Sequence, residues 1–421
     1  MALTYDERVL AGRPQHSGNR SDSGNGGRFS AMVSGGTLFG MLLKYALLTF
    51  LTLGIYRFWA KTGLRRHLWG RVLYGGDPFQ YHGTAKELFV GFLIALAVLL
   101  PLGIIHLLIS RWIGAADLSG ASSLINSAVY FLVLFGLVSL AFYRMRRYQL
   151  SRTSWRSVHF SLAGSPVEYA AKSLLWGMAT LASLGLAYPW MLAWQNRQIL
   201  NNARLGQARF SCRVRGVDIL VRYILFYGLL LLLGLIYTAL LASLSSGREP
   251  AAATGPVVFL LFLVIPVAFI AFRLSVFKLV ASETRLNKHR IYARFQTGKV
   301  VLSGFIATLT GGLVFLVTLA GVMAIGLLFT VGMISLDGIA NAEGVIFVLL
   351  NMMQWLLPAG ILATMLATAA AKSIFLSSLL ETVIPGLKIA QSERLEAILA
   401  GNQSAPRYGE GLADALDVGS F

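Results

Sequence analysis

Hydrophobic and polar positions alternate along this chain on two length scales. The runs Leu88–Ile109, Leu124–Tyr143, Ile219–Leu241 and Val257–Phe272 meet the roughly 20 apolar residues needed to cross a hydrocarbon layer. They are continuous rather than alternating, which predicts helices and not a membrane barrel. On the shorter scale, Phe79-Gln80-Tyr81-His82-Gly83 alternates aromatic and polar residues and stops on glycine, the pattern of a short strand. Two further apolar runs, Leu38–Tyr56 and Ala170–Tyr188, close on similar phrases: Thr52-Leu53-Gly54-Ile55-Tyr56 with Trp59, and Ser183-Leu184-Gly185 with Tyr188-Pro189-Trp190.

The two phrases lie 131 residues apart, and the same offset relates Phe29 to Phe160, Trp59 to Trp190, Arg66 to Arg197, Gly75 to Gly206 and Phe79 to Phe210. One offset kept over so many positions reads as an internal repeat. The expected organisation is a disordered cytoplasmic tail (1–28), repeat unit 1 (29–150), repeat unit 2 (151–290), a degenerate unit 3 (291–385) and an acidic cytoplasmic tail (386–421). In the third unit, Val300–Leu336 is too long for one crossing and carries Gly311-Gly312, so it reads as a bent segment fused to a crossing. A last crossing follows at about Val345–Ala371. The fold class is therefore an all-α polytopic membrane protein with about six full crossings, re-entrant or interfacial hairpins, and short strand-like pieces on the cytoplasmic face.

Composition agrees: 56% of residues are hydrophobic and only 13% charged, too few to cover a soluble surface. The net charge of +18 is uneven. Basic clusters fall at Arg57–Arg71, Arg144–Arg156, Arg197–Arg222 and Arg273–Lys299, whereas the loops at Asp117, at Arg248 and Glu249, and at Asp337 and Glu343 are neutral or acidic. If every apolar run crossed once, the loops at 57–87 and 144–167 would face outward against the positive-inside rule. The conflict disappears if Leu38–Tyr56 and Ala170–Tyr188 enter and leave on the cytoplasmic side, bending at Gly54 and Gly185 with Lys44 and Lys172 snorkelling near their entries. Two ordinary crossings with some basic loops outside are the alternative.

Several segments resemble the YjgN-like family of bacterial inner-membrane proteins, a domain of unknown function (898). They are Gly36-Thr37-Leu38-Phe39, Leu48–Tyr56 with Trp59, Arg65-Arg66, Phe79–Thr84, Arg152–Phe160 with Gly164-Ser165, and the tail Gly409–Asp417. The resemblance implies a multi-pass protein of the bacterial inner membrane with both termini cytoplasmic, and no activity to carry over. The chain departs from the pattern in its third unit, where Val314–Met333 stands in place of another glycine-aromatic-tryptophan phrase.

No catalytic set is legible. The six histidines are scattered, and no zinc, nucleotide or nucleophile-elbow motif occurs, so no cofactor, metal site or enzyme activity is expected. His106 is the one histidine inside a crossing, Ser275 and Lys278 have Ser-x-x-Lys spacing at a basic helix end, and Cys212 sits in a basic loop as a small filler. Trp59, Trp69, Trp190 and Trp194 beside arginines read as an interfacial belt, with headgroup binding as a second use. The candidate lipid-, partner- or cavity-contacting residues are Lys44, Gly54, Tyr56, Trp59, Arg65, Arg66, Lys172, Gly185, Tyr188, Trp190 and Arg197. The expected partners are the bilayer with its anionic phospholipids and, as a candidate, a membrane protein, not nucleic acid. The leading reading is a non-enzymatic protein organising anionic lipid or a protein partner through a basic cytoplasmic face. A transporter or channel, with anions as candidate cargo, is the alternative, and an enzyme acting on lipid comes third.

Overall fold

The structure is a computed structural model that describes residues 28–116, 120–245, 251–287, 289–332 and 342–390. The neutral loops around Asp117 and Arg248, the acid Asp337 and the Gly409–Asp417 motif lie outside the described residues. So does the expected amino-terminal tail, apart from Arg28.

Among the described residues, ten short strands form one sheet in sequence order. They are β1 (Phe29–Ala31), β2 (Val72–Tyr74), β3 (Asp77–Tyr81), β4 (Thr153–Trp155), β5 (Val158–Leu162), β6 (Ala203–Leu205), β7 (Ala208–Cys212), β8 (Thr284–Leu286), β9 (His289–Ala293) and β10 (Leu387–Ile389). Every neighbouring pair is antiparallel, and a bridge between Arg28 and Lys388 brings the first and last edges together into a barrel-like ring. The all-α expectation is corrected here: the strand-like pieces are a complete sheet. The expected tail from 386 contributes β10 to it, and Cys212 is the buried end of β7 rather than a loop residue.

Two-residue turns join β2 to β3, β4 to β5 and β6 to β7, and a connection that begins at Asn287 joins β8 to β9. Their left-handed residues are Gly75 and Gly76, Arg156 and Ser157, Gly206, and Asn287, as hairpins that follow the sheet twist require. Arg156 and Ser157 hold this conformation without the freedom of glycine. Arg156 lies over the Trp155 ring at 4.7 Å and meets Asp77 at 2.5 Å, contacts that offset the strain.

The period of two along each strand fills the ring. Tyr74, Trp155, Leu205, Leu286 and Ile389 from the even strands are buried against Phe29, Phe79, Phe160, Phe210 and Ile291 from the odd ones. Centroids of Phe29 and Phe79, Phe79 and Phe160, and Phe160 and Phe210 are 6.3, 6.2 and 6.4 Å apart. The ring is thus a packed core, as expected of small barrels.

Helical hairpins are inserted between paired strands. In order, they are α1 (Gly35–Leu51) with α2 (Arg57–Gly70), α3 (Ala85–Ala115) with α4 (Gly120–Ser151), and α5 (Pro166–Ala182) with α6 (Tyr188–Asn202). Then come α7 (Gly216–Ser245) with α8 (Ala251–Ser282), and α9 (Thr297–Gly332) with α10 (Ala342–Val383). Each hairpin leaves the sheet and returns to the adjacent strand. Between hairpins, α2 packs on α3, α4 on α5, α6 on α7, α8 on α9, and α10 back on α1.

Six of these helices, α3, α4, α7, α8, α9 and α10, contain stretches long and apolar enough to cross a bilayer. Their exposed leucines, isoleucines and valines, such as Leu108, Leu124 and Leu225, are what lipid-facing helices present. The bent segment expected within Val300–Leu336 is instead part of the unbroken α9. Gly311 meets Ala371 and the backbone of Ala367, and Gly326 faces Trp355. These glycines admit a close neighbour rather than break the helix.

Candidate functional site

The short hairpins share an apex geometry that begins with helix termination. Gly54 N–H donates to Thr49 O and Leu53 N–H to Phe50 O; Gly185 N–H donates to Thr180 O and Leu184 N–H to Leu181 O. This double closure normally puts glycine at its first left-handed position. Here that position is leucine, with φ 50° at both Leu53 and Leu184, and glycine follows with φ 92°. Leu53 is 94% and Leu184 81% exposed, so each apex carries backbone strain while displaying a large apolar side chain. In each turn a hydroxyl closes the next step, Thr52 accepting from Tyr56 N–H and Ser183 from Ala187 N–H, both at 2.9 Å.

The flanks of the two hairpins differ. On the second, Tyr223 and Tyr227 of α7 donate their hydroxyls to Gly185 O and Leu184 O at 3.0 and 2.7 Å. Leu192 is buried with Tyr223 and Phe272, and Gly177 abuts Phe135. On the first, α1, α2, α9 and α10 surround an open groove of 1110 Å³. Its walls are mainly apolar, and its cations are Arg57, Lys61, Arg65 and Lys372, with no acidic residue lining it among the described residues. Arg57 lies over the rings of Phe58 and Phe92 at 5.0 and 4.9 Å, and Arg65, only 5% exposed, reaches the Tyr81 hydroxyl at 3.5 Å.

Of the residues singled out in sequence, Gly54 and Arg65 line this groove. Lys44 is exposed on α1 and is not among the lining residues. Tyr56 stands between the rings of Tyr45 and Trp59, and Arg66 donates to Gly83 O at 3.3 Å. On the other hairpin, Lys172 pairs with Glu168 at 2.6 Å, Gly185 accepts from Tyr223, Tyr188 packs on that ring, Trp190 presses on Gly216, and Arg197 lies along α6. The candidates therefore divide between two places. The groove cations Arg57, Lys61 and Lys372 went unselected, because in sequence they merge with the general excess of basic residues.

Other candidate chemistry is occupied structurally. His106 stacks on Tyr130 at 4.1 Å and meets Asn126 at 3.3 Å. Lys278 donates to Phe295 O and Ser275 to Phe272 O. Among the described residues, no three His, Cys, Asp or Glu side chains gather as a metal set.

At the junction of β3 and α3, His82 Nε2 lies 2.8 Å from Ser154 Oγ, with the His159 ring at 5.6 Å. Partial desolvation, then the charges of His159, Arg152 and Arg66, hold its pKa below the ordinary 6.5. The folded state thus prefers the neutral ring. The associated stability is complete above 6.5 and is lost as pH falls through the depressed folded value. Between about pH 7 and pH 5, melting of the His82→Gln variant is expected to fall less steeply than that of the parent; parallel curves would contradict this.

Neither the curated proteins nor the solved structures contain a match to this chain. Residues 27–415 do match the model of a family described as a bacterial protein of unknown function, DUF898, and the chain belongs to that family.

Proposed function

We propose that this is a non-enzymatic, multi-pass protein of the bacterial inner membrane that organises acidic phospholipid or a membrane protein partner on its cytoplasmic face. The observation that carries the reading is the return of every helical hairpin to one sheet. Whatever enters the bilayer from that sheet comes back to the same side. The α1–α2 and α5–α6 hairpins are then re-entrant, and the apex leucines find hydrocarbon. The 131-residue offset reads as an internal repeat, relating the first two short hairpins and the crossing pairs that follow them.

Charge supports the orientation. Arg209, Arg285, Arg290 and Lys388 are exposed on the sheet, and Arg204 directly faces Arg209 as Arg285 faces Arg290. Like charges in register disfavour pairing, and an anionic surface relieves the repulsion. Arg290 does have Glu283 at 3.6 Å, but the belt remains strongly basic. The positive-inside tendency puts this end, with both termini, in the cytoplasm. Solubilised from native membranes, the full chain should retain acidic phospholipid above its bulk fraction or a reproducible protein partner. Recovery of neither would sink the proposal.

The second reading is a transporter or channel. The succession of helix contacts around a closed ring favours it, and bent segments often build substrate paths. The aromatic layers filling the sheet stand where an axial path would leave, which ranks this reading second.

A further inference from the structure

We infer that the groove between the first and last helical hairpins is a binding site for one acidic phospholipid, its headgroup at Lys61, Arg65 and Lys372 and an acyl chain running along α10. This inference rests on the membrane reading above and names a site within it.

The first argument comes from the second hairpin, which supplies an internal control. The 131-residue offset that superimposes the two apex phrases takes Arg57 to Tyr188, Lys61 to Leu192 and Arg65 to Asn196. Both hairpins have the same left-handed apex, so building such a hairpin does not require cations on that face. In the second hairpin Leu192 is buried in a packed core with Tyr188 against it. In the first hairpin Arg57 lies over Phe92 and Arg65 is 5% exposed, and Lys61, the counterpart of Leu192, stands in the wall of the open groove. The α3 residues corresponding to the anchoring Tyr223 and Tyr227 are Phe92 and Leu96, which have no hydroxyl to hold the first apex.

The second argument is polarity along the groove. With 1.5 Å of rise per residue, Lys61 stands about 14 Å from the sheet end of α2 and Lys372 about 16 Å from the sheet end of α10. Arg65 lies nearer the sheet, whereas Met353 and Leu356 extend the wall on α10 far beyond. From Leu376 to Met353 the α10 wall runs about 35 Å, ample for an acyl chain crossing a leaflet of about 15 Å. Cations near the sheet and an apolar far end match a phospholipid whose head faces the cytoplasm. The described lining contains no carboxylate to repel it. Arg57 lies farther from the sheet than Lys61, where its aromatic contacts shield it.

The test uses the full chain in nanodiscs containing phosphatidylglycerol in phosphatidylcholine, followed by native mass spectrometry of the released protein. The parent is expected to retain one phosphatidylglycerol, and Lys61→Leu with Lys372→Ala to weaken that retention about 30-fold, from two lost surface-cation contacts. Lys61→Arg should preserve it. Inorganic phosphate added in excess should not displace the lipid; displacement would assign the site to a free anion and overturn the proposal. Arg209→Ala, on the outer sheet, serves as the control that lowers general acidic-lipid enrichment without removing the retained molecule. Equal retention by parent and the Lys61/Lys372 variant would overturn the groove assignment while leaving the lipid-organising reading intact. Absence of any acidic-lipid preference in the parent would overturn the groove assignment together with the lipid arm of the proposed function, leaving its protein-partner arm.

Discussion

Trp155→Ala is expected to lower stability by about 4 kcal/mol, the range for removing a buried tryptophan. Trp155 is 5% exposed, lies edge-on to Tyr74 at 5.3 Å, and pairs in register with Phe79 and Val158 across two neighbouring strands. No protein atom accepts from its buried indole N–H among the described residues, so its contribution comes from packing. Trp155→Phe, which keeps a ring and removes the unmet donor, should therefore cost much less than the alanine variant. Because this core joins all five helical hairpins, the loss should appear as one earlier melting transition. Equal destabilisation by the two variants would show that the indole contributes something other than ring volume.

Glu87→Ala should cost about 3 kcal/mol through an uncompensated charge. Glu87 accepts from the Tyr148 hydroxyl, meets Arg152 at 2.5 Å, and completes the cap of α3 with Thr84. Both members of the ion pair are about one-fifth exposed, with side-chain values of 22% for Glu87 and 20% for Arg152, so solvent moderates the penalty for a fully buried pair. The unpaired arginine carries most of the expected loss. Adding Arg152→Ala to Glu87→Ala should consequently produce far less than the sum of the single effects. Additive losses in thermal unfolding would contradict the coupling.

How legible the fold was depended on the distance over which each signal acts. Continuous apolar runs announced the six long helices because a bilayer imposes a minimum length. Thr52–Tyr56 and Ser183–Gly185 announced the apices because helix termination is local. The sheet was harder: β1 and β2 have three residues each, and Phe29 finds Tyr74 only after a helical hairpin intervenes. The Arg28–Lys388 bridge joins opposite ends of the described chain, beyond what periodicity can encode. Gly311-Gly312 was misleading because glycine serves both bends and close helix approach.

The candidate site was half legible for a related reason. Gly54 stood out in the repeated phrase and Arg65 in the Arg65-Arg66 pair of the family resemblance, whereas Lys372 arrives from the last hairpin, far in sequence from the other groove cations. The usable signal was a difference within the offset: Arg57, Lys61 and Arg65 against Tyr188, Leu192 and Asn196. Similarity marked the scaffold, and departure from it marked the groove.

The central claim is that both short hairpins enter and leave the membrane on the side of the sheet. Its most direct test is single-cysteine labelling in oriented cells after Cys212→Ser, with a membrane-impermeant maleimide at Arg66→Cys, Ser157→Cys and Ala116→Cys. Arg66 and Ser157 are exposed near the sheet, while Ala116 is the exposed C-cap of α3, far from it. The account predicts labelling of the first two only from the cytoplasmic side and of Ala116→Cys only from outside. Labelling of Arg66→Cys or Ser157→Cys from outside would contradict it.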